Sequence, residues 1–245
     1  MGRGAALIFP LAHGTQHSPG HPHHPWHHGG VPPAGGRARR GRVARHRARW
    51  EPPQIRWLLR RLGLGSGSIK AILLTHGHLD HAGNLAWAKR WTGAPIYAHA
   101  AEQAHIDGVF PYTGAARWCG RLERIGYDVL NYRPARIDRF IADGDELPFW
   151  DGLHVVHLPG HTQGHCGFYS ARHRLLFSGD LFASYFFNVH LPPPIFNSEP
   201  RLIPGSLRRA RELDPELIVP QHYDVLDGAL HQRRFTALCR RVLRD

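Results

Sequence analysis

The spacing of apolar positions changes character near residue 51. Across residues 1–52, as in "HSPGHPHHPWHHGGVPPAGGRARRGRVARHRAR", apolar residues recur with neither a helical nor a strand period. From residue 51 a readable pattern begins. "EPPQIRWLLRRLG" opens on prolines, places Ile55, Leu58, Leu59 and Leu62 on one face and stops at Gly63, which predicts a helix. "IKAILLT" is an unbroken apolar run of strand length, the mark of a buried strand. Beyond it the chain predicts a helix over "NLAWAKRW", a strand over "APIYAH", and helices over "AAEQAHI" and residues 115–125. A strand-rich stretch follows: "RIDRFI", "DELPFW", "LHVVHL", "CGFYS" and "RLLFSG", punctuated by turns. A helix over "SLRRARELD", a strand over "ELIVP" and a helix over residues 229–244 complete the chain.

This mixture of strands and helices predicts one α/β domain over residues 53–245, preceded by a low-complexity segment over residues 1–52. Such a segment buries too little surface to offset its ordering entropy, so disorder is expected there. Its histidines (His21, His23, His24, His27 and His28) read as a solvated tail rather than a metal store.

Charge sharpens the division. Of 31 basic residues, eight arginines lie in residues 1–50, which contain no Asp, Glu or Lys. Residues 51–245 hold the other 23 basic and all 19 acidic residues, a net charge of +4 out of the chain's +12. The basicity that would suggest a nucleic-acid partner thus belongs mainly to the first segment, and none is expected for the folded domain. No apolar run approaches the roughly 18–20 residues of a membrane helix. The three cysteines include no CxxC pair, so neither a disulfide framework nor a zinc ribbon is indicated, and a cytoplasmic setting is the default expectation. Oligomeric state is not legible.

The chemistry concentrates past strand ends. "THGHLDH" follows the strand "IKAILL" and packs His76, His78, Asp80 and His81 into six positions. Imidazole and carboxylate are the usual zinc ligands, three per catalytic ion with one position open. In a loop leaving a strand, His76 and His78 can converge on one ion, while Asp80 and His81 turn toward a second. Three later strand ends each add one ligand-type residue: His161 in "LPGHTQGH", Asp180 in "FSGD" and His222 in "VPQHYD".

Together these motifs resemble the HxHxDH signature and later ligand motifs of the metallo-β-lactamase-fold hydrolase superfamily, over about residues 53–245, and most closely its glyoxalase II and lactonase-like branch. The resemblance implies an αββα sandwich of two mixed sheets flanked by helices. It implies that His76, His78 and His161 bind one divalent ion, that Asp80, His81 and His222 bind another, and that Asp180 bridges them. Zinc is the first expectation, with iron or manganese as alternatives. The implied reaction is attack of a metal-bridging hydroxide on a small-molecule ester, thioester or lactone, with Asp80 orienting the nucleophile or passing on its proton. The alternatives are a mononuclear iron persulfide dioxygenase or a nuclease of the same fold, and a non-enzymatic metal binder. The full set of seven ligands favours two metals.

Two departures from the family pattern stand out. The usual leading β-hairpin with its Asp-x-Gly turn is not found, so the first strands are expected to be missing or altered. The composition of the first ~50 residues matches a GC-rich gene read in a wrong frame, and a frame or start-site error is the expectation. In addition, "PQH" replaces the commoner Gly before the last histidine. Around the ligands, Thr75, Thr162 and His165 are candidates to steady the loops, and Tyr185 or Tyr223 to reach a substrate carbonyl, although packing is the commoner role of a tyrosine. Cys166 reads as a small buried residue. The aromatic stretches "FASYFFNVHLPPPIFNSEP" and "DGVFPYTGAARWCG" are expected to wall a partly apolar pocket.

Overall fold

The computed structural model describes residues 5–9, 53–109, 112, 114–185 and 188–244. Two sheets carry the fold. The first orders β1 (Ala5–Phe9), β2 (Ile69–Leu74), β3 (Ile96–His99) and β4 (Arg139–Ile141), all parallel. The second orders β11 (Leu217–Pro220), β8 (Leu175–Gly179), β7 (Cys166–Ser170), β6 (Leu153–His157) and β5 (Glu146–Leu147). In it β11 runs parallel to β8, and the remaining pairs are antiparallel. Among the described residues the second sheet is mixed, as expected, and the first is parallel throughout. The reason is connectivity. Between β2 and β3 lie α2 (Leu79–Ala82) and α3 (Leu85–Thr92); between β3 and β4 lie α4 (Gln103–Ile106) and α5 (Arg117–Leu130). Helical crossovers return the chain in the same direction.

Alternation along the strands assigns the layers. On β2, Ile72 and Leu74 pack with Ile55 and Leu59 of α1 (Pro53–Arg61) and Leu85 and Ala88 of α3. The intervening Ala71 and Leu73 face the other sheet, packing with Leu153, Val155 and Phe168. On the far side, Val156, Leu176 and Ile218 pack against Leu207 and Ala210 of α6 (Ile203–Glu212) and Phe235 and Leu238 of α7 (Gly228–Leu243). The layer order is helix, sheet, sheet, helix, as expected. Helix α3 stops at Gly93, whose φ of 71° is the left-handed conformation glycine adopts without strain.

Topology brings several strand ends to one edge. Strands β6 and β8 are both antiparallel to β7, so they run the same way, and β11 runs with β8. The two sheets are joined there by a hydrogen bond from the Cys166 amide to the Thr75 carbonyl (2.9 Å).

Three elements differ from the sequence reading. Ala5–Phe9 is a strand beside β2, where none was expected in residues 1–50; so short an apolar run fits a buried strand and a buried helix segment equally, and no periodic segment adjoins it to decide between them. Disorder was expected over residues 1–52 and a frame error over the first ~50; within that span Ala5–Phe9 forms a strand, and the remaining residues, with the histidine cluster, lie outside the described residues. Helix α5 runs to Leu130, beyond the expected end at residue 125. A hairpin of β9 (Ala183–Tyr185) and β10 (Asn188–His190) lies in the stretch read as a loop. No helix among the described residues is long and apolar enough to cross a membrane, and all three cysteines are free and buried.

Candidate metal centre

All seven candidate ligands meet at the shared strand edge. His76, His78, Asp80 and His81 follow β2, His161 follows β6, Asp180 follows β8 and His222 follows β11. Their donor atoms fall into overlapping sets: His76, His78 and His161; His76, His81 and Asp180; Asp80, His81 and His222. The Oδ2 atom of Asp180 lies 3.1 Å from His222 Nε2, 3.4 Å from His81 Nε2, 3.5 Å from His161 Nε2 and 3.9 Å from His76 Nε2. Asp80 Oδ2 lies 3.3 Å from His81 Nε2 and 3.4 Å from His222 Nε2. Two donors sharing a tetrahedral ion at bond lengths of about 2.0–2.1 Å stand about 3.3 Å apart, so most of these spacings are those of ligand edges. The set that contains Asp180 shares His76 with the first group and His81 with the third, and so links them.

The hydrogen bonds behind the cluster aim the rings. Thr75 Oγ1 donates to Gln221 Oε1 (2.9 Å), so toward His76 Nδ1, 3.1 Å away, it acts as acceptor. Asn197 Nδ2 donates to the Pro192 carbonyl (2.9 Å), which turns its oxygen to accept from His161 Nδ1 (3.0 Å). In both histidines Nε2 is left facing inward. The buried Nε2 atoms of His76, His78, His81 and His161, with Asp180 Oδ1, have no hydrogen-bond partner. Buried polar atoms are rarely orphaned, and five orphans aimed at one point fit the donor set of a divalent-metal centre.

Electrostatics agree. Burial, reinforced by neighbouring imidazoles, holds His76 and His78 well below the ordinary histidine range, and burial lowers His161 despite Asp180. All three are therefore neutral, as ligands must be. Burial opposes ionisation of Asp80 and Asp180, but the positive charge of His81 overcomes it and holds both carboxyls well below 3.8. Burial also opposes protonation of His81 and His222. The two aspartates prevail, pushing His81 up to about 9 and His222 to about 11 when no ion is bound.

Of the residues expected to steady the loops, Thr75 bonds His76 and Gln221, and Thr162 Oγ1 donates to Glu102 Oε1 (2.8 Å). His165 Nδ1 donates to the Leu158 carbonyl while its Nε2 accepts from the Asp180 amide, both at 2.9 Å. Tyr185 Oη lies 3.0 Å from His222 Nδ1 and lines the adjoining cavity, whereas the Tyr223 ring lies tilted against His231, 5.4 Å between centroids. Cys166 is fully buried. Three contributors went unread in the sequence, Glu102, Glu123 and Asn197, and Gln221 was marked only as a departure from the usual glycine. A glutamate among the apolar residues of "AAEQAHI" was the one available signal. Nothing local marks Asn197, which lies 36 residues from the histidine it holds.

Beside the donors opens a cavity of about 680 Å³. Its wall includes Phe182, Pro192, Pro193 and Phe196 from the aromatic stretch, and Cys119 and Leu122 from α5. Both aromatic stretches contribute to the wall, the second through Cys119; Phe186 and Phe187 of the first and Phe110, Pro111 and Thr113 of the second lie outside the described residues.

The family model of the metallo-beta-lactamase superfamily matches residues 34–222. The probable metallo-hydrolase YybB of Bacillus subtilis (strain 168) is 33% identical over 165 residues, covering 66% of this chain and 68% of that protein. The hydroxyacylglutathione hydrolase GloC of Haemophilus influenzae is 31% identical over 117 residues, which is 46% of this chain and 50% of GloC. Among solved structures, TTHA1623 in a di-iron-bound form superposes with a TM-score of 0.57 at 28% identity, covering 75% of this chain and 83% of that one.

Proposed function

The chain belongs to the metallo-beta-lactamase superfamily, and on that premise we propose that it is a hydrolase of a small ester, thioester or lactone holding two zinc ions. His76, His78 and His161 would hold one ion, Asp80, His81 and His222 the other, and Asp180 would serve both. The observation that carries this reading is the convergence of seven donors at the mouth of a largely apolar cavity. The likeness to GloC favours a thioester, since a hydroxyacylglutathione is one.

A pair of divalent ions, when bound, supplies a nucleophilic hydroxide at neutral pH and polarises the acyl oxygen. The chain's own residues do the rest. Asp80, held ionised by its neighbours, would accept a hydrogen bond from the attacking water and fix its approach. His222 Nδ1 donates to Tyr185 Oη, which leaves the tyrosine hydroxyl proton free to bond the substrate carbonyl. Phe182, Pro192, Pro193 and Phe196 receive the acyl group and exclude bulk water from one side.

The test is metal analysis of the purified full chain together with a panel of esters, lactones and S-acyl thioesters. Two zinc ions per chain and chelator-sensitive hydrolysis are expected. One iron per chain with thiol-dependent oxygen uptake would overturn the reading in favour of a dioxygenase. Bound metal with no hydrolysis of any panel member would leave a metal-binding protein.

A further inference from the structure

The loop from His76 to His81 has two interleaved sets of groups. Side chains at 76, 78, 80 and 81 face the metal centre. The backbone amides of the two residues between them, Gly77 and Leu79, are each taken by a buried carboxylate. The Gly77 N–H donates to Glu102 Oε2 (2.6 Å), and the Leu79 N–H donates to Glu123 Oε1 (2.8 Å). Glu102 also spans to the His161 loop: its Oε1 accepts from Thr162 Oγ1 (2.8 Å) and the Gly164 N–H (2.7 Å). Glu123 Oε2 accepts from Tyr112 Oη (2.6 Å). Glu102 therefore ties together the two loops that carry His76, His78 and His161.

The fit is steric as well as polar. A Cβ on Gly77 would stand 2.6 Å from His105 Cβ and 3.2 Å from Glu102 Oε2, and one on Gly164 would stand 2.7 Å from Glu102 Oε1. Glycine at both positions lets the backbone reach the carboxylate. Three donors and no acceptor meet Glu102, the pattern an ionised carboxylate satisfies. Both glutamates are buried, and among the described residues neither pairs with Lys or Arg. A buried charge needs a counter-charge, and the loop they grip is the one that holds cations.

We propose that Glu102 and Glu123 are positioning residues: they fix the ligand loop through its amides and balance the charge of the ions, and so set metal affinity. This rests on the metal-binding part of the function proposed above, not on its substrate. Glutamine keeps the size of each side chain but turns a donor toward Gly77, Gly164 or Leu79.

The test is cobalt(II) titration of the full-length Glu102→Gln and Glu123→Gln variants against a competing chelator, with the visible cobalt spectrum recorded alongside melting temperature. The expected result is a loss of affinity of roughly 10–100-fold with a shifted cobalt band, the scale seen for groups that orient metal ligands. A lower melting temperature with unchanged affinity and spectrum would mean a structural role only and would overturn the proposal. Loss of a whole ion per chain in Glu123→Gln would overturn it for Glu123 by making that residue a ligand, since Glu123 lies near His78 and Cys119. If Glu102→Gln does not fold, Thr162→Val removes one bond to the same carboxylate; a several-fold affinity loss supports the proposal, and unchanged affinity sinks it. Weakened cobalt binding in a chain that hydrolyses no acyl substrate would support the positioning role and defeat only the hydrolase reading.

Discussion

Asp180 is the residue on which both halves of the proposed two-ion centre would depend, because among the described residues its Oδ2 atom alone of the carboxylates approaches four imidazoles together. Asp180→Asn preserves volume and removes the charge shared between the two donor sets. The expected outcome is fewer than two ions per chain and a fall in kcat/KM on the order of 100-fold or more, the scale of losing one charge-stabilising group. Full activity with two ions retained would contradict the bridging position. Glu102 gives a second prediction, one of pH and stability. With no ion bound to offset it, burial pushes its carboxyl from the ordinary 4.5 up to about 7, with the bonds from Thr162, Gly77 and Gly164 opposing. A raised folded-state value means that the fold holds this proton more tightly than the unfolded chain does. Its contribution, about 3 kcal/mol, is therefore complete below pH ~4.5 and lost as pH rises through ~7. Denaturation of chelator-treated protein at pH 6 and pH 8 checks it. Glu102→Gln should flatten that slope.

At the scale of the element, what matters is how each strand ends. Strand β8 ends on Gly179, with φ of 56°. A Cβ there would stand 2.5 Å from His165 Nε2, the atom that accepts from the Asp180 amide, and 3.1 Å from Thr75 Cβ. Gly179→Ala is expected to cost about 1–3 kcal/mol through backbone strain and overpacking, and to weaken metal binding because His165 must move. Chemical denaturation with a parallel metal titration measures both. The strands themselves were legible in sequence because apolar runs such as "IKAILL" and "LHVVH" end in turn chemistry, and the ligand types stand directly past those ends. The β9–β10 hairpin was not, because a three-residue strand beside prolines has no room to show a period. The amide contacts of Glu102 escaped for a different reason. They join residues 25 and 62 positions apart, and only the close approach of Gly77 and Gly164 creates the pocket. Gln221 was noticed as a departure from the family's usual glycine, but its bond to Thr75 crosses 146 positions.

For the whole molecule, the centre is a clamp between the two sheets. The first sheet supplies His76, His78, Asp80 and His81, and the second supplies His161, Asp180 and His222. Ions held by both groups would therefore cross-link the two sheets, adding to the apolar core of Leu73, Leu153, Val155 and Phe168 that packs between them. Ions that bind the folded chain alone stabilise it by mass action, about 4 kcal/mol for one site at a free concentration 1,000 times its Kd. For a chain of 245 residues each kcal/mol moves the melting temperature by roughly 2–4 °C, so chelation is expected to lower it by roughly 8–16 °C. Protons compete for the same nitrogen and oxygen atoms; the difference between loaded and stripped protein should therefore shrink as pH falls from 8 to 5. Calorimetry of both forms across that range reads the effect directly. Equal melting temperatures at pH 8 would show that the two sheets are held without the ions, and the seven donors would then need another explanation for their orphaned nitrogens.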